Sequence, residues 1–191
     1  MTQNVVTTLK KEIWDYIAYY DNIVSSDLCD KIVEDTNKQD LQPSVYTNHK
    51  GRVDSSDRVK MDDIWFRENA PYYIDIKNGF MSALMKYQQE NPFCMCKRHT
   101  DFRFNKYSKG GFMSVHCDTI HHSHGQEYGY PQVSALLFLN DDYVGGEFVV
   151  SGRIYNTKKG SAILFPSNFM YPHEVKTVME GTRYSIVSWL M

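Results

Sequence analysis

Residues 99–118 read HTDFRFNKYSKGGFMSVHCD. Two runs, His99–Tyr107 and Met113–Asp118, carry apolar side chains at alternate positions and flank the turn Lys109-Gly110-Gly111. Apolar-polar alternation is the pattern of a half-buried strand, and a glycine pair punctuates strands rather than helices. The segment therefore predicts two successive strands. Further short apolar runs that read as strands follow downstream in Val133–Leu139, Glu147–Ser151, Ser161–Phe165, Glu174–Val178 and Thr182–Leu190. Turn signals separate them at Asn140-Asp141-Asp142, Gly145-Gly146, Lys159-Gly160 and Glu180-Gly181. Short strands at this spacing predict a sandwich or barrel.

Upstream the pattern changes. Trp14–Tyr20 is apolar and aromatic and reads as a strand. Ser25 and Ser26 offer an N-cap for a helix through Asp27–Val33, with Leu28, Ile32 and Val33 close to one face. Gln39–Asp63 is polar, with Pro43 and Gly51, and predicts a long loop that could serve as a lid. A second helix is expected from Asn69-Ala70-Pro71 to about Gln89, with Pro71 in its first turn. Ile74, Phe80, Met81, Leu84 and Met85 fall near helical spacing there. Trp65 and Phe66 read as core, with a lid strand as the alternative. Helices before strands predict an α+β chain, mainly β, whose N-terminal helices buttress the larger sheet.

The bulk properties exclude several classes. A chain of 191 residues fits one domain. Its formal net charge of −2 supplies no broad basic surface, so nucleic acid is not expected as a partner. No apolar run approaches the roughly 18 residues of a membrane span. Met1–Lys11 is polar, so no secretory leader is expected. Cys29, Cys94, Cys96 and Cys117 do not form the paired Cys-x₂-Cys spacing of a structural zinc site. They read as free thiols of a reducing, cytoplasmic compartment.

The chemistry concentrates at His116-Cys117-Asp118 and at His173, with 54 residues between Asp118 and His173. In a strand, residues i and i+2 share a face, so His116 and Asp118 would point inward together. A histidine from a later strand could complete a set of two imidazoles and one carboxylate. That set leaves about three cis positions of an octahedral ion open, the arrangement of non-haem Fe(II) oxygenases. His-x-Asp alone is a common surface pattern. Arg183 adds information, because it lies ten residues after His173 at the head of an apolar strand. A guanidinium directed into a barrel is costly unless an anion meets it.

The second half of the chain resembles the 2-oxoglutarate- and Fe(II)-dependent dioxygenases, in their prolyl 4-hydroxylase-like branch. The resemblance rests on ordered segments from about Thr100 onward. They include Asn105–Gly111, His116-Cys117-Asp118, Val133–Asn140, Gly145-Gly146-Glu147-Phe148, Lys159–Pro166, Pro172-His173-Glu174-Val175 and Gly181–Leu190. It implies a double-stranded β-helix, a cupin-like jelly roll, within a single domain over 1–191. Residues 1–95 would carry the N-terminal strand, helices and lid loop, and residues 96–191 the catalytic core. It implies Fe(II) on His116, Asp118 and His173. Arg183 would pair with the distal carboxylate of 2-oxoglutarate, Tyr107 would help bind that cosubstrate, Ser134 would lie near the same carboxylate, and Trp189 would line the pocket. Dioxygen would be the oxidant and ascorbate the reductant. Succinate and carbon dioxide would leave as co-products, and peptidyl proline leads as substrate, with a free amino acid or other small molecule as the alternative.

Arg103 lies four residues before Tyr107 and would share its face, placing it at the substrate or in an outer ion pair. His121, His122 and His124 read as a polar loop, a substrate contact or a second metal site. Two other classes remain open on the residues alone: a non-catalytic metal-binding jelly roll, and a zinc hydrolase using the same ligands. Neither accounts for Arg183.

Overall fold

The computed structural model describes residues 11–48, 51–53, 57–118 and 130–191. Ser25 caps the first helix, its hydroxyl accepting from the Leu28 N–H at 3.2 Å, and α1 runs Ser26–Thr36. The second helix, α2, runs Tyr73–Glu90 behind a left-handed Tyr72. Pro71 thus stands before the helix rather than in its first turn. The face of α2 turned to the core carries Tyr73, Ile76, Phe80, Ala83, Leu84 and Tyr87. Ile74 and Met85 project into solvent at 61% and 57% exposure, against expectation. The true stripe follows the i, i+3, i+7 spacing through two tyrosines that the aliphatic pattern passes over.

The strands are β1 (Ala18–Tyr20), β2 (Gln42–Pro43), β3 (Tyr46–Asn48), β4 (Gly51–Val53), β5 (Val59–Lys60), β6 (Asp62–Phe66), β7 (Phe102–Tyr107) and β8 (Phe112–His116). The remainder are β9 (Val133–Phe138), β10 (Val144–Gly145), β11 (Phe148–Val150), β12 (Arg153–Tyr155), β13 (Ala162–Pro166), β14 (His173–Val175), β15 (Val178–Glu180) and β16 (Arg183–Leu190). Three expectations need correction. The first strand is preceded by a 3₁₀ turn, Ile13–Tyr16. The run Glu174–Val178 divides between β14 and β15. The described parts of Gln39–Asp63 are not one loop: β5 joins the smaller sheet, and β2 and β6 extend the larger one. β2 and β5 have two residues each, too few to show alternation, and β5 and β6 pair with β8 and β7, which lie far along the chain.

Seven strands form one antiparallel sheet in the order β1-β13-β9-β16-β7-β6-β2, and five form another in the order β12-β11-β14-β8-β5. Two such sheets packed face to face make a jelly roll. Period-2 alternation assigns each strand residue to one of two cores. Phe102, Phe104, Ile186 and Leu190 face outward into the core shared with α1 and α2. Tyr107, Phe138, Phe165, Val187 and Trp189 face inward, between the sheets, with Phe148 and Val175 of the smaller sheet. The helices therefore stiffen the larger sheet from behind and leave its inner face to build a site. No described helix is long and apolar enough to cross a membrane.

Candidate metal centre and anion pocket

His116 ends β8 and His173 begins β14, and the antiparallel register makes them direct cross-strand partners. Their rings lie 4.2 Å apart between centroids. Asp118 sits two residues beyond β8, in a turn rather than on the strand, and is buried. Its Oδ1 is 3.6 Å from His116 Nε2, and its Oδ2 is 3.4 Å from His173 Nε2. One donor atom from each of the three residues falls within 4.8 Å of the others. Donor atoms this close could hold one ion between them, with the Asp118 carboxylate bridging the two imidazoles in space.

The surrounding groups orient this cluster. His116 Nδ1 donates to the Ser114 carbonyl at 2.9 Å, and His173 Nδ1 to the Tyr171 carbonyl at 3.1 Å. Each bond leaves Nε2 to face the ion, the usual outer support of a metal-bound imidazole. Burial and the neighbouring His173 push the His116 pKa down to about 4, so that ring is neutral and ready to ligate. Burial opposes charge on His173, but the Asp118 carboxylate outweighs it and raises the His173 pKa. Burial likewise opposes ionisation of Asp118. His173, His116 and a hydrogen bond from Ser134 win, and its carboxyl is held well below the usual range.

Across the barrel, Arg183 and Tyr107 form a second cross-strand pair, on β16 and β7 of the larger sheet. Arg183 is 0% exposed. Its Cζ lies 5.2 Å from the Tyr107 ring and 5.4 Å from the Phe138 ring. Nη1 donates to Ser185 Oγ at 3.1 Å, while Nε and Nη2 are buried without a hydrogen-bond partner. No carboxylate of the described residues lies within the 4.0 Å of an ion pair. A buried guanidinium with two unmet donor positions fits an anion that presents two oxygens. Gly146 makes the space: it holds a φ of +64°, and a Cβ there would stand 3.2 Å from Arg183 Cδ and 2.9 Å from Val178 Cγ2. Burial raises the Tyr107 hydroxyl pKa, while Arg183 and Arg103 lower it and Asp118 acts in the opposite sense.

Ser134, on β9, hydrogen-bonds Asp118 Oδ2 at 2.5 Å and Ser167 Oγ at 2.9 Å. Its bonds thus go to the metal cluster rather than to Arg183. Trp189 lies on the inner face of β16 with Arg103 5.3 Å from its ring. Asn105 was not singled out from sequence. It is buried on the same face of β7 as Tyr107, with its Oδ1 unmet, and a polar residue at an inward strand position was the available signal. His121, His122 and His124 lie outside the described residues.

Two imidazoles and one carboxylate brought together in a jelly roll are the donor set of mononuclear non-haem oxygenases, in which they would leave part of an ion's coordination sphere open. Residues 102–191 match the 2OG-Fe(II) oxygenase superfamily. A PKHD-type hydroxylase of Thermosynechococcus vestitus is 30% identical over 156 residues, covering 78% of this chain and 69% of that protein. Another, of Rippkaea orientalis, is 38% identical over 100 residues, 49% of this chain and 44% of that protein. Among solved structures, a Trichoplax adhaerens prolyl hydroxylase in complex with a hypoxia inducible factor peptide fragment superposes with a TM-score of 0.72. It shares 16% identity and covers 93% of this chain and 84% of that one. The chain belongs to the 2OG-Fe(II) oxygenase superfamily and is prolyl 4-hydroxylase-like in fold.

Proposed function

We propose that the protein is a 2-oxoglutarate-dependent dioxygenase that hydroxylates peptidyl proline, releasing succinate and carbon dioxide. The observation that carries this reading is Arg183, fully buried with Nε and Nη2 unmet, on the inner wall that also holds Tyr107. A protein that only stored or sensed metal has no use for a buried anion site, and neither has a zinc hydrolase with these three ligands.

His116, Asp118 and His173 hold the ion. Bound there, Fe(II) with 2-oxoglutarate supplies the oxidative decarboxylation that activates dioxygen. The chain's own residues do the rest. Ser134 fixes the Asp118 carboxylate through Oδ2, and the Ser114 and Tyr171 carbonyls fix the imidazoles. Arg183 pairs with the far carboxylate of the cosubstrate, and the Tyr107 hydroxyl steadies it. Phe138, Phe148 and Phe165 keep that end of the barrel dry, which strengthens the ion pair. Trp189 walls the substrate side. One domain over 1–191 carries this activity, with residues 1–95 as scaffold and 96–191 as core.

The match to hydroxylases named PKHD-type supports a hydroxylase, and the peptide held by the Trichoplax enzyme supports a peptidyl substrate. A free amino acid is the second reading, since one jelly roll hosts many substrates. The free thiols Cys29, Cys94, Cys96 and Cys117 fit a reducing cytoplasm. Ascorbate as reductant rests on the resemblance. The decisive experiment incubates the protein with Fe(II), ascorbate, 2-oxoglutarate and a proline-rich peptide library. A gain of one oxygen on proline, matched by succinate, is expected, and Asp118→Ala should abolish both. Full turnover by that variant refutes the ligand assignment.

A further inference from the structure

A second cation lines the same pocket and has no role in holding iron or 2-oxoglutarate. Arg103 is on β7, four residues from Tyr107 on the inward face. It pairs in register with Trp65 of β6 and Val187 of β16. Its Cζ sits 5.8 Å from the Trp65 ring and 5.3 Å from the Trp189 ring, and those two rings are 6.2 Å apart. Three adjacent strands thus hold one guanidinium against two indoles. Its Nε is buried without a hydrogen-bond partner, and no described carboxylate forms an ion pair with it. It reaches toward the metal cluster through Trp189, which pairs in register with Ser134, whose hydroxyl donates to Asp118 Oδ2. Trp65 remains 37% exposed, so this cluster opens to solvent while Arg183 does not.

An arginine clamped on aromatic faces loses little side-chain freedom when it binds, and its planar donors match a carboxylate. Arg183 is buried against Tyr107 and Phe138, whereas Arg103 stands on the more open side, against the Trp189 that neighbours Ser134. We propose that Arg103, held by Trp65 and Trp189, is a specificity-determining residue that binds a carboxylate of the substrate beside the carbon to be oxidised. The substrate is then an acidic one: a peptide with Asp, Glu or a C-terminal carboxylate next to proline, or a free amino acid. The inference rests on the proposed dioxygenase reading and narrows its substrate.

The test uses the full chain with Mn(II) in place of iron, without oxygen, and reads tryptophan fluorescence in a Trp14→Phe background, leaving Trp65 and Trp189 as reporters. The probes are matched pairs: a Pro-Asp against a Pro-Asn peptide, a C-terminal proline acid against its amide, and L-proline against prolinamide. At least one acid should bind about tenfold or more tighter than its amide, the discrimination expected of a charge-assisted pair. Which pair discriminates identifies an internal acidic residue, a chain terminus or a free amino acid as the source. Arg103→Gln should erase the preference, and Arg103→Lys should restore part of it. With iron and oxygen, Arg103→Gln should raise KM for the preferred acid more than it lowers kcat. Equal binding of acid and amide by the wild type, no binding of any probe, or an undiminished preference in Arg103→Gln overturns the proposal. Wild-type affinity for 2-oxoglutarate, read in the same cell and lost in Arg183→Gln, tests the underlying dioxygenase reading separately.

Discussion

Arg183→Met separates the two consequences of burying a cation. In the ligand-free protein the guanidinium is 0% exposed, with one hydrogen bond, to Ser185 at 3.1 Å. Its contacts with the Tyr107 and Phe138 rings contribute about 0.5–2 kcal/mol, and the Ser185 bond about 1 kcal/mol. An uncompensated buried charge costs about 3–5 kcal/mol. The cost wins by roughly 1–2 kcal/mol, so a methionine of similar length should stabilise the ligand-free protein. For a chain of this size that is a rise in Tm of about 2–8 °C. With 2-oxoglutarate the sign reverses. Loss of the buried ion pair should weaken binding by about two to three orders of magnitude. Wild-type protein with Mn(II) and 2-oxoglutarate at a hundred times its Kd should gain about 2.7 kcal/mol. The variant should gain nothing measurable. Thermal unfolding of both proteins, with and without 2-oxoglutarate, supplies all four values. A variant that melts lower than wild type without ligand, yet still shifts upward with 2-oxoglutarate, refutes the anion-pocket assignment.

Ser134→Ala removes the hydrogen bond to Asp118 Oδ2 and should weaken metal affinity by about tenfold, measured by calorimetric titration with Zn(II). Gly146→Ala imposes a side chain at a φ of +64° and crowds Val178 and Arg183. It should destabilise by about 1–3 kcal/mol, seen in denaturant unfolding, and weaken 2-oxoglutarate binding with it. Metal affinity should also follow pH. His173 has a raised pKa, so it holds a proton that the ion must displace, whereas His116, at about 4, does not above that pH. Affinity for Zn(II) should therefore fall with a one-proton slope as pH drops through the His173 pKa, and with a two-proton slope only near pH 4. A two-proton slope at pH 6 would assign the protonation states wrongly.

Most of the β architecture was legible because β7, β9, β13 and β16 are apolar runs of five to eight residues bounded by turn signals, and in the fold their side chains alternate between two cores. Most strands that escaped have two or three residues each, and β5 owes its place to hydrogen bonds with the distant β8. The buried stripe of α2 was misjudged for a related reason. Tyr73 and Tyr87 bury their rings against the larger sheet, and only that sheet distinguishes them from the exposed Ile74 and Met85. The hydrogen-bond partner of Ser134 was not legible either, because a serine on the inner face of β9 could meet the anion pocket or the metal cluster. The turn after β8 brings Asp118 to it.

The residue types alone determined the chemistry on offer: two imidazoles, a carboxylate within two positions of one of them, and an arginine inside an apolar strand. Those properties are local, carried by donor atoms and by the period of a strand. Tertiary structure decided which of them meet. The pairing of β8 with β14 sets His116 against His173, and that of β7 with β16 sets Tyr107 beneath Arg183. The addition of β6 lays Trp65 against Arg103. Cross-strand register depends on hydrogen-bond ladders between segments far apart in the chain, and one residue of slip would turn every one of these side chains to the opposite face.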